Sequence, residues 1–281
     1  MNLPLTIIAA TNFTPIANNA VSYAAGLAKS AGAKLIIFNS FTLTVHSSNA
    51  QISGEALQKQ IDTAASRLDA FGKSLAGLYN IEVSSFCSYS FLEEQLAGLI
   101  NNYKPELVVM GMAERSFEQE LIGNSTTAVI KKLNIPVLAV PLNAHFHKAK
   151  KILYACDSIS LSSIKRFSWL RQVVSTLGAE IEFFSVDEKL HDIKQEQAVE
   201  SALLSSVIEE EFSKVKYIYK TVRSNAVISE IEKEIKHYGA ELLVMVPQKY
   251  GFWDSLVHKS KTAVMAAGLD IPLLSFPNYN Q

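Results

Sequence analysis

The stretch GNSTTAV, which begins at Gly123, places a glycine, an amide and three hydroxyls where a loop is predicted to become a helix. Free backbone N–H groups and the positive end of a helix dipole favour an anion such as phosphate. Glycine would let the phosphate approach the main chain, and the hydroxyls of Ser125 and Thr126 would add hydrogen bonds. Asn124 or Ser125 could equally act only as the N-cap of the helix. The segment therefore predicts a phosphate site, a capped helix, or both.

Other catalytic chemistry has little support in the sequence. GNSTT lacks the lysine of a P-loop, and the chain contains no G-x-G-x-x-G fingerprint. No nucleophile elbow or zinc signature occurs, and Cys87 and Cys156 lie too far apart to form a metal-type pair. The six histidines are scattered, at positions 46, 145, 147, 191, 237 and 258. We therefore predict no catalytic residue and no metal site, and at most slow ATP hydrolysis.

The elements that must position GNSTT alternate between strand and helix. Thr14 followed by Pro15 predicts a helix start, Gly32 predicts its end, and a long amphipathic helix is predicted from about 55 to 78. Ser90 and Glu93 have the spacing of a capping box ahead of a third helix. The short apolar runs predicted as strands are TIIAAT, KLIIF, IEVSSF, ELVVMG and PVLAV. This order predicts a doubly wound α/β fold with a parallel sheet covered by helices on both faces.

The chain also repeats itself. The segment 106–132 aligns without a gap with 241–267, TIIAATN resembles KILYACD, and NIPVLAVP resembles DIPLLSFP. A period this long indicates a duplicated domain rather than a solenoid. We predict two tandem five-stranded domains at 1–142 and 151–281, joined by a linker at 143–150.

Ligands of such sheets lie at the carboxyl ends of the strands, where the strand order reverses. In the first half, Thr11 and Asn12 follow the first strand, and Met110 and Gly111 end the fourth. GNSTT opens the helix that leaves the same loop. These residues are therefore predicted to converge on one site.

With these motifs in place, the whole chain resembles a tandem universal stress protein. The resemblance is strongest in VVMGMAERSFEQELIGNSTTAVIKKLNIPVLAVP. It implies a Rossmann-like fold of the adenine nucleotide alpha hydrolase type and ATP as a ligand of the first domain. The binding residues that it implies are Thr11, Asn12, Met110, Gly111, Gly123, Asn124, Ser125 and Thr126.

The chain departs from the pattern of the family's ATP-binding branch, which has an aspartate after strand one and a Gly-x2-Gly-x9-Gly-[Ser/Thr] signature. Gly111 and Gly123 match the first and third glycines, but Glu114 occupies the second position and Asn124 replaces the hydroxyl residue. Asn12 stands where the aspartate is expected. A carboxylate at Glu114 would repel a triphosphate and block close approach of the main chain.

The second half retains a different part of the signature. Asp157 stands at the aspartate position, while Val246 and His258 replace two of the glycines. Phe252 and Trp253 in the same loop are predicted to pack or to form an interface. We therefore expect a degenerate site in the second domain.

Three functions remain open at this point. The first is a stress-response regulator that responds to ATP bound in the first domain. The second is a scaffold of the same fold that binds no nucleotide and acts through protein partners. The third is an adenylating enzyme, which would require a sequence such as SGGxDS after the first strand, whereas this chain has TNFTP.

The composition and net charge of the chain limit the classes of partner that we expect. With 48% apolar residues, 19% charged residues and a formal charge of −1, the composition predicts no nucleic-acid or membrane partner. The two distant cysteines, Cys87 and Cys156, suit a reducing compartment, and we predict a cytoplasmic location. The fifth strand of each domain is predicted to be an edge, so pairing of PVLAV with PLLSF would form an intramolecular pseudo-dimer. The sequence also leaves open whether two chains form a homodimer.

Overall fold

The computed structural model describes residues 5–41, 53–112, 124–156, 164–187, 208–209, 211–245 and 269–277. They form two compact units, and the first ends at Phe146, where the second begins with His147. This junction lies within the segment 143–150. Several residues discussed above lie outside the described residues, namely Glu114, Gly123, Asp157, Val246, Phe252, Trp253 and His258.

The first unit is built on five parallel strands in the order β3-β2-β1-β4-β5. The strands are β1 Thr6–Ala10, β2 Lys34–Phe41, β3 Val83–Tyr89, β4 Leu107–Gly111 and β5 Val137–Val140. The helices are α1 Pro15–Ala31, α2 Gly54–Tyr79, α3 Leu92–Tyr103 and α4 Asn124–Lys132. The strand order reverses between β1 and β4, so the predicted α/β fold with a parallel sheet is confirmed.

Helix α1 begins and ends as its sequence predicts. The hydroxyl of Thr14 accepts a hydrogen bond from the N–H of Ala17, and Pro15 occupies the first turn. Gly32, with φ of 62°, ends the helix in the left-handed conformation that glycine adopts without a steric penalty. Its buried face consists mainly of alanine, which lets the helix lie close to the sheet.

Helix α3 does not begin with the predicted capping box. Its N-cap is Phe91, which makes no side-chain hydrogen bond to the helix. The carbonyl of Ser90 instead accepts a hydrogen bond from the hydroxyl of Ser40 at the end of β2. Ser90 thus lies one position too early, and the capping-box prediction is wrong.

The second unit repeats the order of the first. Its strands are β6 Lys151–Cys156, β7 Glu180–Asp187, β8 Tyr217–Arg223, β9 Leu242–Met245 and β10 Leu273–Ser275. They are parallel and run in the order β10-β9-β6-β7-β8, which matches the first unit strand for strand. The described helices include α5 Ile164–Leu177 and α6 Val227–Tyr238. Across the described segments, no helix combines the length and apolar character of a membrane span.

An aromatic cluster forms much of the core of this second unit. The ring of Phe183 lies 5.6 Å from that of Tyr154 and 5.1 Å from that of Phe212, both in edge-to-face contact. Phe167 completes the cluster, and all four residues are buried. Such contacts contribute beyond the buried apolar area alone.

Candidate functional site

A cleft of about 480 Å³ opens at the carboxyl ends of β1 and β4 in the first unit. Its lining includes Thr11, Asn12, Met110, Gly111, Ser125 and Thr126. Of Asn124 only the helical backbone is described, as the first residue of α4. Since this point is where the strand order reverses, the cleft occupies the position at which sheets of this type bind ligands.

A second wall of the cleft was not predicted from the sequence. It comes from Ser40 at the end of β2 and from the start of α3, where Ser90, Phe91, Leu92 and Glu93 line the cavity. The side chain of Phe91 is 65% exposed. The strand-end rule that predicted Thr11 and Gly111 also applies to β2 and β3, so this wall could have been found in the same way.

Side chains bind the backbone of the turn between β1 and α1. The buried hydroxyl of Thr11 donates to Asn18 Oδ1 at 2.9 Å and accepts from the N–H of Phe13 at 2.9 Å. Phe13 has φ of 63°, which non-glycine residues adopt at a cost. The guanidinium of Arg67 lies 4.2 Å from the centre of the Phe13 ring, a cation–π contact that favours this conformation.

The orientation of the Asn12 amide follows from its hydrogen bonds. Its Oδ1 accepts from the N–H of Thr14 at 3.2 Å and from the Thr14 hydroxyl at 2.6 Å. Since only the oxygen can accept from an N–H group, Nδ2 is the atom that remains for a ligand. Asn12 therefore offers a neutral donor where the family pattern places a carboxylate.

The tip of β1 is anchored from the neighbouring strand. Asn39 is buried, and its Nδ2 donates to the carbonyl of Thr11 at 2.7 Å. Cys87 lies beside it, with Sγ 3.6 Å from Asn39 Oδ1. Burial raises the pKa of the Cys87 thiol, so the reactive thiolate is disfavoured.

Thr126 and Ser125 have different roles in the first turn of α4. Thr126 is buried, and its hydroxyl donates to the carbonyl of Gly111 at 2.9 Å. A hydroxyl has one proton, so Thr126 cannot also donate to a phosphate while this bond persists. Ser125 is exposed and lines the cleft. The contact to a ligand therefore falls to Ser125.

Gly111 has a structural role that needs no ligand. A Cβ built at this position would lie 2.6 Å from Ile16 Cγ2, 3.2 Å from the carbonyl carbon of Ile16 and 3.3 Å from the nitrogen of Ala17. The first turn of α1 thus packs directly on the end of β4. This packing is by itself a sufficient reason for a glycine at the first signature position, whether or not a ligand binds.

We expect Gly111→Ala to lower the free energy of unfolding by about 1–3 kcal/mol, because the backbone of the first turn of α1 would have to move. Urea unfolding of the full chain measures the loss. Gly98→Ala is the control, since Gly98 lies inside α3 with nothing within 4 Å of the added Cβ. That control should gain up to about 1 kcal/mol from helix propensity. A wild-type stability for Gly111→Ala would contradict the packing described here.

The described lining carries one charged side chain. Glu93 lines the cleft, and its carboxylate lies 3.4 Å from the ammonium of Lys132. Among the lining residues that the structure describes, none is lysine, arginine or histidine. Within the described ranges, no group of three or more His, Cys, Asp or Glu residues could hold a metal ion.

Comparison with known proteins places the first unit in a family. Residues 5–141 match the model of the universal stress protein family. A universal stress protein from Archaeoglobus fulgidus DSM 4304 superposes with a TM-score of 0.65 at 13% identity, over 97% of this chain and 96% of that chain. A protein of unknown function from Pseudomonas aeruginosa PAO1 gives 0.58 at 12% identity, over 97% and 92%. At such identities these two likenesses show the fold alone.

Two further comparisons contribute less. A universal stress protein solved in complex with cAMP covers 48% of this chain and 96% of its own, at 19% identity and a TM-score of 0.36. That likeness is too weak to transfer its ligand to this chain. No curated protein matches the chain.

Proposed function

Because its residues 5–141 make the chain a member of the universal stress protein family, we propose that it is a stress-response regulator that binds an adenosine ligand. The ligand is a nucleoside or a nucleotide such as ATP, and the site is the cleft of the first unit. The observation that carries the proposal is the cavity of about 480 Å³ at the reversal of strand order. Its volume is in the range of small-molecule sites.

The described residues fit the adenosine part of such a ligand. Met110, Ile16 and Ala10 give the cleft apolar surface for a base, and hydroxyls and the Asn12 amide supply polar contacts. The triphosphate fits less well, because Glu93 is the only charged side chain among the described lining residues. Regulation of this kind requires only that the ligand favour one conformation of the protein, without turnover.

A specific observation also favours a second function, that of a scaffold that binds no nucleotide. Gly111 is explained by its contact with Ile16, and Thr126 by its bond to the carbonyl of Gly111. Residues that match the family signature thus have a structural role whether or not a ligand binds. In this case protein partners would carry the function, and pairing between chains or between the two units belongs to the same proposal.

Titration of the full-length protein with adenosine, AMP and ATP separates the two functions. We expect at least one of them to bind with one site per chain, and Ser125→Trp to weaken that binding at least about tenfold by filling the cleft. Because Ser125 is exposed, the larger side chain leaves the core intact. Ser74→Trp is the control, on an exposed position of α2 outside the lining. If none of the three ligands binds at about 1 mM, the scaffold replaces the regulator.

A further inference from the structure

Most hydroxyl groups that line the cleft already donate a hydrogen bond within the protein. Six hydroxyl side chains line it, namely Thr11, Thr14, Ser40, Ser90, Ser125 and Thr126. Four of them donate inside the protein, with Thr11 bonded to Asn18, Thr14 to Asn12, Ser40 to the Ser90 carbonyl and Thr126 to the Gly111 carbonyl. A hydroxyl that donates in this way retains only acceptor capacity. The cleft is therefore poorer in hydroxyl donors than its composition indicates.

Three N–H groups at and just before the start of α1 also have hydrogen-bond partners. The side chains of Thr11, Asn12 and Thr14 accept hydrogen bonds from the N–H groups of Phe13, Thr14 and Ala17, respectively. Pro15 has no N–H group. Of these, the N–H of Ala17 belongs to the first turn of the helix, where free N–H groups bind phosphate. The three bonds reduce the number of N–H groups that this end of the cleft offers to an anion.

The start of α3 combines an uncapped helix end with negative charge. Phe91 makes no capping hydrogen bond, so N–H groups of the first turn stay available. Glu93 and Glu94 occupy the same turn, and Glu93 lines the cleft. Their carboxylates already complement the positive end of the helix dipole. A polyphosphate at this wall would meet two carboxylates, of which that of Glu93 is partly offset by the ammonium of Lys132, 3.4 Å away.

Phe91 supplies an aromatic surface on the same wall. Its side chain lines the cleft and is 65% exposed, which is unusually high for a phenylalanine. A planar base can stack on such a ring whatever hydrogen-bonding groups it carries on its edge, because every base has a π-face.

We infer that the cleft of the first unit selects an uncharged nucleoside over its phosphorylated forms, and that Phe91 holds the base by stacking. The inference rests on the proposed function and names the ligand class of that site. Ribose hydroxyls and an exocyclic amino group are donors, which can use the acceptor capacity that remains on the hydroxyl oxygens of the lining. The Nδ2 of Asn12 complements a ring nitrogen. Phosphate groups have only acceptors and negative charge, and the one charged side chain among the described lining residues is the carboxylate of Glu93.

The order of affinities tests the charge selectivity. Titration of the full-length protein, with and without Mg²⁺, is expected to give the tightest binding for adenosine, weaker binding for AMP and the weakest for ATP. AMP or ATP bound more tightly than adenosine would overturn the inference and leave the proposed function standing. Absence of binding by all three would overturn both.

Glu93→Gln tests the source of that selectivity. Removal of the carboxylate should narrow the preference for adenosine over AMP by up to about fivefold, the effect of an unpaired unit charge about 4 Å away in a water-like dielectric, since Lys132 offsets part of the charge of Glu93. Glu94→Gln is the matched control, because Glu94 lies in the same turn but is exposed and outside the lining. Equal changes in the two variants would show that the charge of the cleft does not set the preference.

Phe91→Ala tests the stacking. We expect binding of adenosine to weaken about tenfold, and Phe91→Trp to retain it. The fold should persist, because Phe91 is exposed and makes no capping bond. Tyr89→Ala is the control, at an aromatic residue on β3 that is 42% exposed and outside the lining. Wild-type affinity in Phe91→Ala would exclude a stacking role.

Discussion

Replacement of Phe183 by alanine is expected to lower the free energy of unfolding of the second unit by about 3–5 kcal/mol. The side chain of Phe183 is fully buried, and its ring contacts those of Tyr154, Phe167 and Phe212. Truncation therefore removes apolar burial and leaves a cavity that the three neighbouring rings cannot fill without leaving their edge-to-face arrangement. Urea unfolding of the full chain, followed by circular dichroism, measures the loss.

Tyr219→Ala is the matched control for this prediction. Tyr219 lies directly opposite Phe183 in the register of β7 and β8, but it is 37% exposed. We expect a loss of about 1 kcal/mol, since less apolar surface is buried there. Similar losses for the two variants would show that the aromatic cluster is not the main core of the unit.

The second large effect concerns Glu182, a buried carboxyl on β7. Burial, and the negative charge of Glu234 on α6, raise the pKa of Glu182 to about 7. Since the unfolded pKa is lower, the folded state favours the protonated form. The contribution of Glu182 to stability is therefore fully present below the unfolded pKa and is lost as the pH rises through about 7. We expect Glu182→Gln to change stability by less than about 1 kcal/mol at pH 5 and to raise it by about 1–2 kcal/mol at pH 8.

Glu234, a charged neighbour of Glu182, provides a control for which we expect the opposite change in stability at pH 8. Burial disfavours the charge on Glu234, but its hydrogen bonds to Lys220 and His237 keep the pKa of Glu234 below its usual value. Lys220 bonds to Glu234 Oε2, and His237 Nδ1 lies 2.9 Å from Oε1. Glu234→Gln should thus be destabilising at pH 8, because it leaves Lys220 without its partner charge. Unfolding midpoints at pH 5 and pH 8 measure both variants, and a gain for Glu182→Gln that is equal at the two pH values would contradict the account.

Local signals in the sequence were sufficient to predict most of the fold. Short apolar runs gave the strands, Thr14 and Gly32 marked the limits of α1, and the internal repeat extended the same order to the second unit. The exception was the start of α3. A capping box requires the serine to be at the N-cap, but the carbonyl of Ser90 is bound by Ser40, a residue 50 positions away. A contact so distant in sequence is not visible in a local pattern.

The candidate site was predicted on one wall only. Rules for strand ends and the family resemblance led to Thr11, Asn12 and Gly111, which line the cleft together. Phe91 and Glu93 reach it because β3 lies next to β2 in the sheet, which is a property of the topology. The direction of each hydrogen bond depends on coordinates as well. Sequence therefore indicated a site rich in hydroxyls, whereas the structure shows that most of those hydroxyls already donate within the protein.

A crystal structure of the full-length protein grown with adenosine tests the central claim most directly, namely that the cleft of the first unit is the ligand site. The account predicts one adenosine per chain between Gly111 and the start of α3, with its base against the ring of Phe91. Adenosine bound in the second unit, or outside the cleft lined by Thr11 and Ser125, would contradict it.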